Sequence, residues 1–214
     1  MYKYFCLLPL LLAYAKTASP DPIYAKNGMV VSLNKNASKA GVKILEKGGN
    51  AVDAAVAVGF ALAVTSPENG NLGGGGFMVG ATSYGKIFSQ DHREKAPSSS
   101  NRDMFLDQDG SVVPNMSLTS RSSSGVPGTV HGLLSAWRDH GSGNIRIQQL
   151  LAPAIKLAEK GFLLSKRRAD LFNSYKEVFK LNAAAAKIFI RQDGQPWEKD
   201  CLLYTSDAAD DLLC

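Results

Sequence analysis

Two short blocks carry the residue types best suited to holding a small molecule: Asn71-Leu72-Gly73-Gly74-Gly75-Gly76-Phe77-Met78 and, soon after it, Asp91-His92-Arg93-Glu94-Lys95-Ala96-Pro97. Consecutive glycines lose more backbone entropy on folding than other residues, so such a run implies unusual dihedrals or close backbone approach. Arginine presents a planar fork that matches a carboxylate through two parallel hydrogen bonds. Together they suggest a place where a small acid is held beside bare backbone. Neither block supplies a nucleophile.

Other chemistries find less support. The three histidines, His92, His131 and His140, show no His-x-x-x-His spacing, and no Cys-x-x-Cys pair exists, so no metal site is expected. Gly80-Ala-Thr-Ser-Tyr-Gly85-Lys86 has the spacing of a phosphate-binding loop. Ile87, however, replaces the hydroxyl residue that would hold magnesium, and no helical pattern follows. The serine clusters at 98–100 and 122–124 lack the Gly-x-Ser-x-Gly elbow and read as turn and cap formers. The net charge of +5 is scattered, and its densest cluster, Lys166-Arg167-Arg168, has no interleaved aromatics. It reads as a solvated helix face and not as a nucleic-acid footprint.

The elements that must position these blocks follow from periodicity. A short apolar strand is expected over Gly28–Leu33. A helix follows from Asn36, with Ala37, Ala40, Ile44 and Leu45 at helical spacing and Gly48-Gly49 as its end. Asn50 reads as an N-cap with Asp53 at the third helical position, and the ensuing helix has no polar side chain from Ala54 to Val64, so it belongs in the core. Pro67 marks its end. Phe77–Val79 and Ile87-Phe88 read as a hairpin about Ser83–Lys86, and Asp107–Gly110 as a turn. Further helices are expected over His131–Arg138, over Gln148–Lys160 with Pro153 near its first turn and Gly161 closing it, and over Lys166–Ala186. Lys187–Arg191 should then be extended, and Asp193-Gly194 a turn.

The ends are of a different kind. Lys3, the apolar run Phe5–Leu12 and Ala13-Tyr14-Ala15 compose a secretory signal over residues 1–15, too short to span a bilayer, so the mature protein is expected to be periplasmic or extracellular. Cys201 to Asp210 can be back-translated as TGT CTC TTA TAC ACA TCT GAC GCT GCC GAC, which matches a transposase adapter used in sequencing-library preparation. Residues 201–214 are therefore expected to be a translated adapter, leaving 16–200 as one globular region. With Cys6 in the signal and Cys201 and Cys214 in the tail, no disulfide framework is expected.

Gly48-Gly-Asn-Ala-Val-Asp-Ala-Ala-Val-Ala57, Gly70-Asn-Leu-Gly-Gly-Gly-Gly-Phe-Met78, Arg93-Glu94-x-Ala96-Pro97 and Gly125-Val-Pro-Gly-Thr-Val130 resemble, in order and spacing, the γ-glutamyltransferase (γ-glutamyltranspeptidase, glutathione hydrolase) family. The resemblance implies an α+β N-terminal-nucleophile hydrolase with an αββα sandwich, of which only the N-terminal part of the large subunit is present. It implies a precursor that cuts itself into two subunits and frees a threonine nucleophile on the small subunit. That threonine would lie beyond this sequence, so no catalytic residue is assigned and the chain alone is expected to be inactive.

The position of the family's α-carboxylate-binding arginine is Arg93, facing a donor such as glutathione. Taken by itself, Arg93 reads as a surface arginine paired with Asp91 or Glu94. No cofactor is implied, and the partners are the γ-glutamyl substrate and the missing small subunit. His92 departs from the apolar or aromatic residue common at its position; beside the carboxylate clamp it would make donor binding depend on pH near neutrality, or else it is simply exposed, and it is not counted among the site residues. Two alternatives remain: a cephalosporin, glutaryl or poly-γ-glutamate-processing relative of the same fold, and a non-catalytic secreted module that binds an acid.

Overall fold

The computed structural model describes residues 22–205, so the expected signal and residues 206–214 lie outside the described residues. Helix α1 (Lys35–Glu46) begins one residue before the expected Asn36 and is capped by Asn34, whose side chain accepts from the Asn36 amide at 2.8 Å. Its buried face of Ala37, Ala40, Gly41 and Ile44 packs on α2 (Ala51–Thr65). A Cβ at Gly41 would stand 2.7 Å from Val58 Cγ2, so the small residues of α1 let the two helices approach closely. Gly48, at φ +85°, ends α1 as expected, and the Gly49 amide returns to the Ile44 carbonyl at 3.0 Å.

Asn50 and Asp53 form the expected reciprocal cap of α2. The Asn50 side chain accepts from Val52 and Asp53 amides at 2.9 and 3.0 Å, while Asp53 Oδ2 accepts from the Asn50 amide at 2.9 Å. Asp53 is fully buried and reaches further, accepting from the Ser142 amide at 3.1 Å, while Asn50 Nδ2 donates to the His140 carbonyl at 2.8 Å. The cap thereby fastens α2 to the loop between α4 (Thr129–His140) and α5 (Ile147–Lys160). The apolar helix α2 is packed by α1, α4 and α5 around Ile44, Val56, Phe60, Leu133 and Leu150. Pro153 stands in the second turn of α5, deeper than its sequence context suggests, and Gly161 at φ +73° follows the last residue.

Strands β1 (Phe77–Ala81) and β2 (Ile87–Asp91) are the expected hairpin, antiparallel with Phe77 opposite Asp91 and Val79 opposite Ser89. Gly80 leaves room for the Phe88 ring to lie across it, and that ring stacks on His140 of α4 with centroids 3.8 Å apart. The short helix α3 (Met116–Thr119) lies in the connection to α4, after the turn at Asp107–Gly110.

Four expectations need correction. Residues 28–33 form no strand, because among the described residues no strand runs beside them to complete a ladder. The long helix over 166–186 is three helices, α6 (Lys166–Ser174), α7 (Lys176–Lys180) and α8 (Ala183–Phe189). The breaks have identifiable causes: Asn173 exchanges hydrogen bonds with the Trp197 backbone at 2.8 Å each, and Asn182 turns to cap α8 through the Ala185 amide. They allow Phe172, Phe179 and Phe189 to converge, with centroids 5.0 to 6.2 Å apart, so Lys187–Phe189 is helical instead of extended. Arg168 is not part of a solvated face; its side chain is only 12% exposed and is paired with Glu68, where burial lowers its pKa from the ordinary guanidinium value.

A further expectation, that of no disulfide framework, also fails: Cys201 is disulfide-bonded. It is buried with Leu203, whose strand β4 (Leu202–Leu203) pairs with β3 (Phe162–Leu163) beside Phe172 and Trp197.

Candidate functional site

The glycine run is the entry to the hairpin, and its backbone extends the ladder by one pair: the Gly76 amide donates to His92 O at 3.2 Å and the His92 amide to Gly76 O at 2.9 Å. One residue earlier the approach is closer still. A Cβ on Gly75 would stand 2.6 Å from His92 O and 2.7 Å from the Glu94 amide nitrogen. Gly75 is therefore glycine because the backbone of residues 92–94 occupies the space a side chain would need.

A third motif closes on the same point. Gly128 and Thr129, at the start of α4, donate their amides to Gly74 O at 2.8 and 3.0 Å. These are amides that a helix start leaves without partners of its own. Lys95 and Val126 exchange backbone hydrogen bonds at 3.3 and 2.8 Å, so the strand after Arg93 is pinned to the loop before α4. Cβ atoms at Gly128 and Gly132 would overlap the His92 carbonyl and ring, respectively. Two segments far apart in sequence, the glycine run and residues 126–132, thus hold one short loop, residues 92–95, from both sides.

Arg93 projects from that loop. Its amide donates to Asp91 Oδ1 at 2.9 Å, a local turn that sets the chain direction, and its Nε donates to Glu94 Oε2 at 3.3 Å. The guanidinium carbon lies 5.9 Å from the Phe77 ring centroid, a cation–π contact that holds the side chain along the hairpin. The side chain remains 63% exposed, and among the described residues Nη1 and Nη2 make no hydrogen bond. The surface pairing with Glu94 that sequence alone allowed is present at Nε, and it leaves the two terminal nitrogens open to a carboxylate.

Glu94 was not singled out by sequence. Its carboxyl is held below its ordinary value by its own backbone amide first; desolvation opposes this, and the Arg93 hydrogen bond, the Arg93 charge and the Gly75 amide add to the lowering. It therefore stays anionic beside Arg93. His92, for which simple exposure was one of two readings, is half-buried: its ring lies against Gly76 and Gly132, and Nδ1 is covered with no hydrogen-bond partner among the described residues. A cavity of about 510 Å³ opens beside this loop, lined in part by Asn71, Gly74, Gly75, His92, Glu94 and Thr129. The available signal for Gly128, Thr129 and Gly132 was the Gly-Val-Pro-Gly-Thr motif, whose role is apparent only from its contacts. No group of three or more His, Cys, Asp or Glu among the described residues could hold a metal.

Comparison with known proteins places this architecture. The γ-glutamyltranspeptidase of Helicobacter pylori superposes with a TM-score of 0.82 and 41% identity, covering 87% of this chain and 53% of that one. The structural neighbours are γ-glutamyltranspeptidases and related N-terminal-nucleophile hydrolases, and the chain has their α+β fold. A sequence profile described as Gamma-glutamyltranspeptidase matches residues 37–213, and the chain belongs to that family. The glutathione hydrolase proenzyme of Pseudomonas sp. (strain A14) is 46% identical over 193 residues, and that of Escherichia coli K12 is 44% identical over 191. These alignments take in 90% and 89% of this chain but 33% of each relative, so the chain spans about a third of the length of the curated relatives it matches.

Proposed function

We propose that this chain is the N-terminal part of the large subunit of an exported γ-glutamyltransferase, in which Arg93 binds the α-carboxylate of the γ-glutamyl donor. The observation that carries the reading is the open end of the Arg93 guanidinium, presented by a loop clamped between the glycine run and the start of α4. A guanidinium fixed at one nitrogen and free at two can take a carboxylate in the bidentate mode. Glutathione and glutamine both carry a free α-carboxylate at the glutamyl end, so fixing that end orients the γ-carbonyl for attack.

In the complete enzyme a threonine outside this chain would attack the γ-glutamyl amide. The acyl-enzyme would then pass the glutamyl group to water or to an amino acid or peptide acceptor. The name proenzyme, carried by the Pseudomonas and Escherichia coli relatives, supports a precursor whose second subunit supplies that nucleophile. Export rests on the leader-like residues 1–15, and adapter origin of residues 201–214 on a possible back-translation of residues 201–210; N-terminal sequencing of the secreted protein and the gene sequence at codon 201 test them.

The functional test is Arg93→Met in the complete precursor. Charged hydrogen bonds contribute about 1.5–3 kcal/mol, so donor KM should rise roughly 10- to 100-fold, with Arg93→Lys in between. Undiminished donor affinity in Arg93→Met would overturn the assignment.

A further inference from the structure

Helix α1 carries a charge pattern that the donor site does not use. Lys35, Lys39, Lys43 and Lys47 recur at every fourth residue, the last as the C-cap, and all four are exposed. At 1.5 Å per residue they make a row about 18 Å long with roughly 6 Å between neighbours. None has an ion pair or side-chain hydrogen bond among the described residues, and no acid stands in the first turn. Glu46 is the one acid in the helix, exposed near the end of the row.

Such a row opposes helix stability in two ways. Like charges four residues apart repel, and Lys35 places a cation at the positive end of the helix dipole. The opposite face of α1, with Ala37, Ala40, Gly41 and Ile44, is buried on α2, so the lysine face points away from the core. The spacing is shorter than the screening length of about 8 Å at physiological salt, so the four ammonium groups act as one field.

We propose that the lysine face of α1 docks on the anionic phospholipid headgroups of a bilayer surface. Charge complementarity carries the choice of partner, and shape supports it. The row is long and convex, and none of the four lysines lines the larger cavities, which suits an extended anionic plane and not a small enclosed anion. A cluster of four lysines on an amphipathic helix is of the size that holds proteins to acidic lipid. No helix among the described residues is long and apolar enough to cross a membrane, so contact made by this face is peripheral. The inference is independent of the reading of Arg93.

The experiment is co-sedimentation of the complete precursor with vesicles of phosphatidylcholine alone or mixed equally with phosphatidylglycerol. Binding is expected only to the mixed vesicles and should weaken with added salt. Each Lys→Gln change should reduce it about fivefold, from about 1 kcal/mol per lysine near such a surface. The variant with all four changed to Gln should lose binding while keeping its glutathione turnover and thermal transition, and the variant with all four changed to Arg should retain binding. Equal binding to both vesicles, undiminished binding by the four-Gln variant, or capture by a soluble anionic polysaccharide but not by the mixed vesicles would overturn the proposal.

Discussion

Arg93 owes its open guanidinium to what stands on either side of it. Asp91 takes the backbone amide, Glu94 takes only Nε, and Phe77 supports the guanidinium from the hairpin. Because its own backbone amide first, and the Arg93 guanidinium after it, hold the Glu94 carboxyl below its ordinary value, its contribution has a definite pH sense. A carboxyl whose pKa is lower folded than unfolded favours the fold above the unfolded pKa, and that contribution disappears as pH falls through the folded pKa. Glu94 is exposed, so the effect on global stability is small. Carbon-13 titration of the Glu94 carboxyl in the complete protein should give a midpoint below those of unpaired glutamates, and Arg93→Met should raise it. A midpoint indifferent to that change would remove Arg93 as a cause.

The same scale separates the glycines of the run. Gly75 has backbone of residues 92–94 within 2.6 to 2.8 Å of a modest added methyl, whereas the nearest atom at Gly73 is Asn71 Oδ1 at an ordinary 3.5 Å. Gly75→Ala should therefore destabilise the complete protein by about 1–3 kcal/mol, as overpacking against unyielding groups does. Gly73→Ala should be within about 1 kcal/mol of the parent and can be stabilising through the unfolded chain. Chemical denaturation of the two variants checks the difference, and equal midpoints would contradict the clamp.

At the scale of elements, legibility followed the range of the interactions. The cap at Asn50 and Asp53, the hairpin and the glycine end of α1 depend on residues within a few positions, and they were read correctly. The long helix over 166–186 was misread because its helical pattern runs through Tyr175 and Leu181, while the breaks depend on Asn173 meeting Trp197, more distant in sequence. Arg168 was misjudged for the same reason, since its partner Glu68 lies in the segment after α2. The Asp53 carboxylate has both kinds of contact: a local one to Asn50 that the sequence shows and a distant one to Ser142 that it does not. Asp53→Ala should leave two amides without an acceptor in a buried place. The expected loss is about 1–3 kcal/mol per orphaned group, beyond that of an ordinary exposed cap. Thermal unfolding of the complete precursor, compared with Asn50→Ala, measures it. A loss no greater than a few tenths of a kcal/mol would show that the loop contact contributes nothing.

For the whole molecule, the site is legible as a set of motifs but not as an arrangement. The glycine run, the Arg93 loop and the start of α4 meet only through contacts such as Gly74 O with the Gly128 and Thr129 amides, which no local pattern encodes. The same folding that assembles them leaves a large apolar surface uncovered. Phe77, Val79 and Ile87 share the exposed face of the hairpin, and Ile23, Tyr24, Val31 and Leu33 are exposed along the N-terminal segment. The hairpin is a sheet of only two strands among the described residues, so both its outer edges offer unpaired backbone groups. Exposed edges and contiguous apolar faces of this kind favour association between chains. The net charge of +5 opposes association only over long range, because salt screens it beyond about 10 Å. The 214-residue chain expressed alone should therefore self-associate and bind a hydrophobic dye, whereas the complete precursor, which supplies the missing two thirds of the family's length, should be dispersed and dye-silent. Sedimentation velocity and dye fluorescence on the two proteins give the comparison. A monomeric, dye-silent chain that releases glutamate from glutathione would contradict both the exposed-face argument and the placement of the nucleophile outside it.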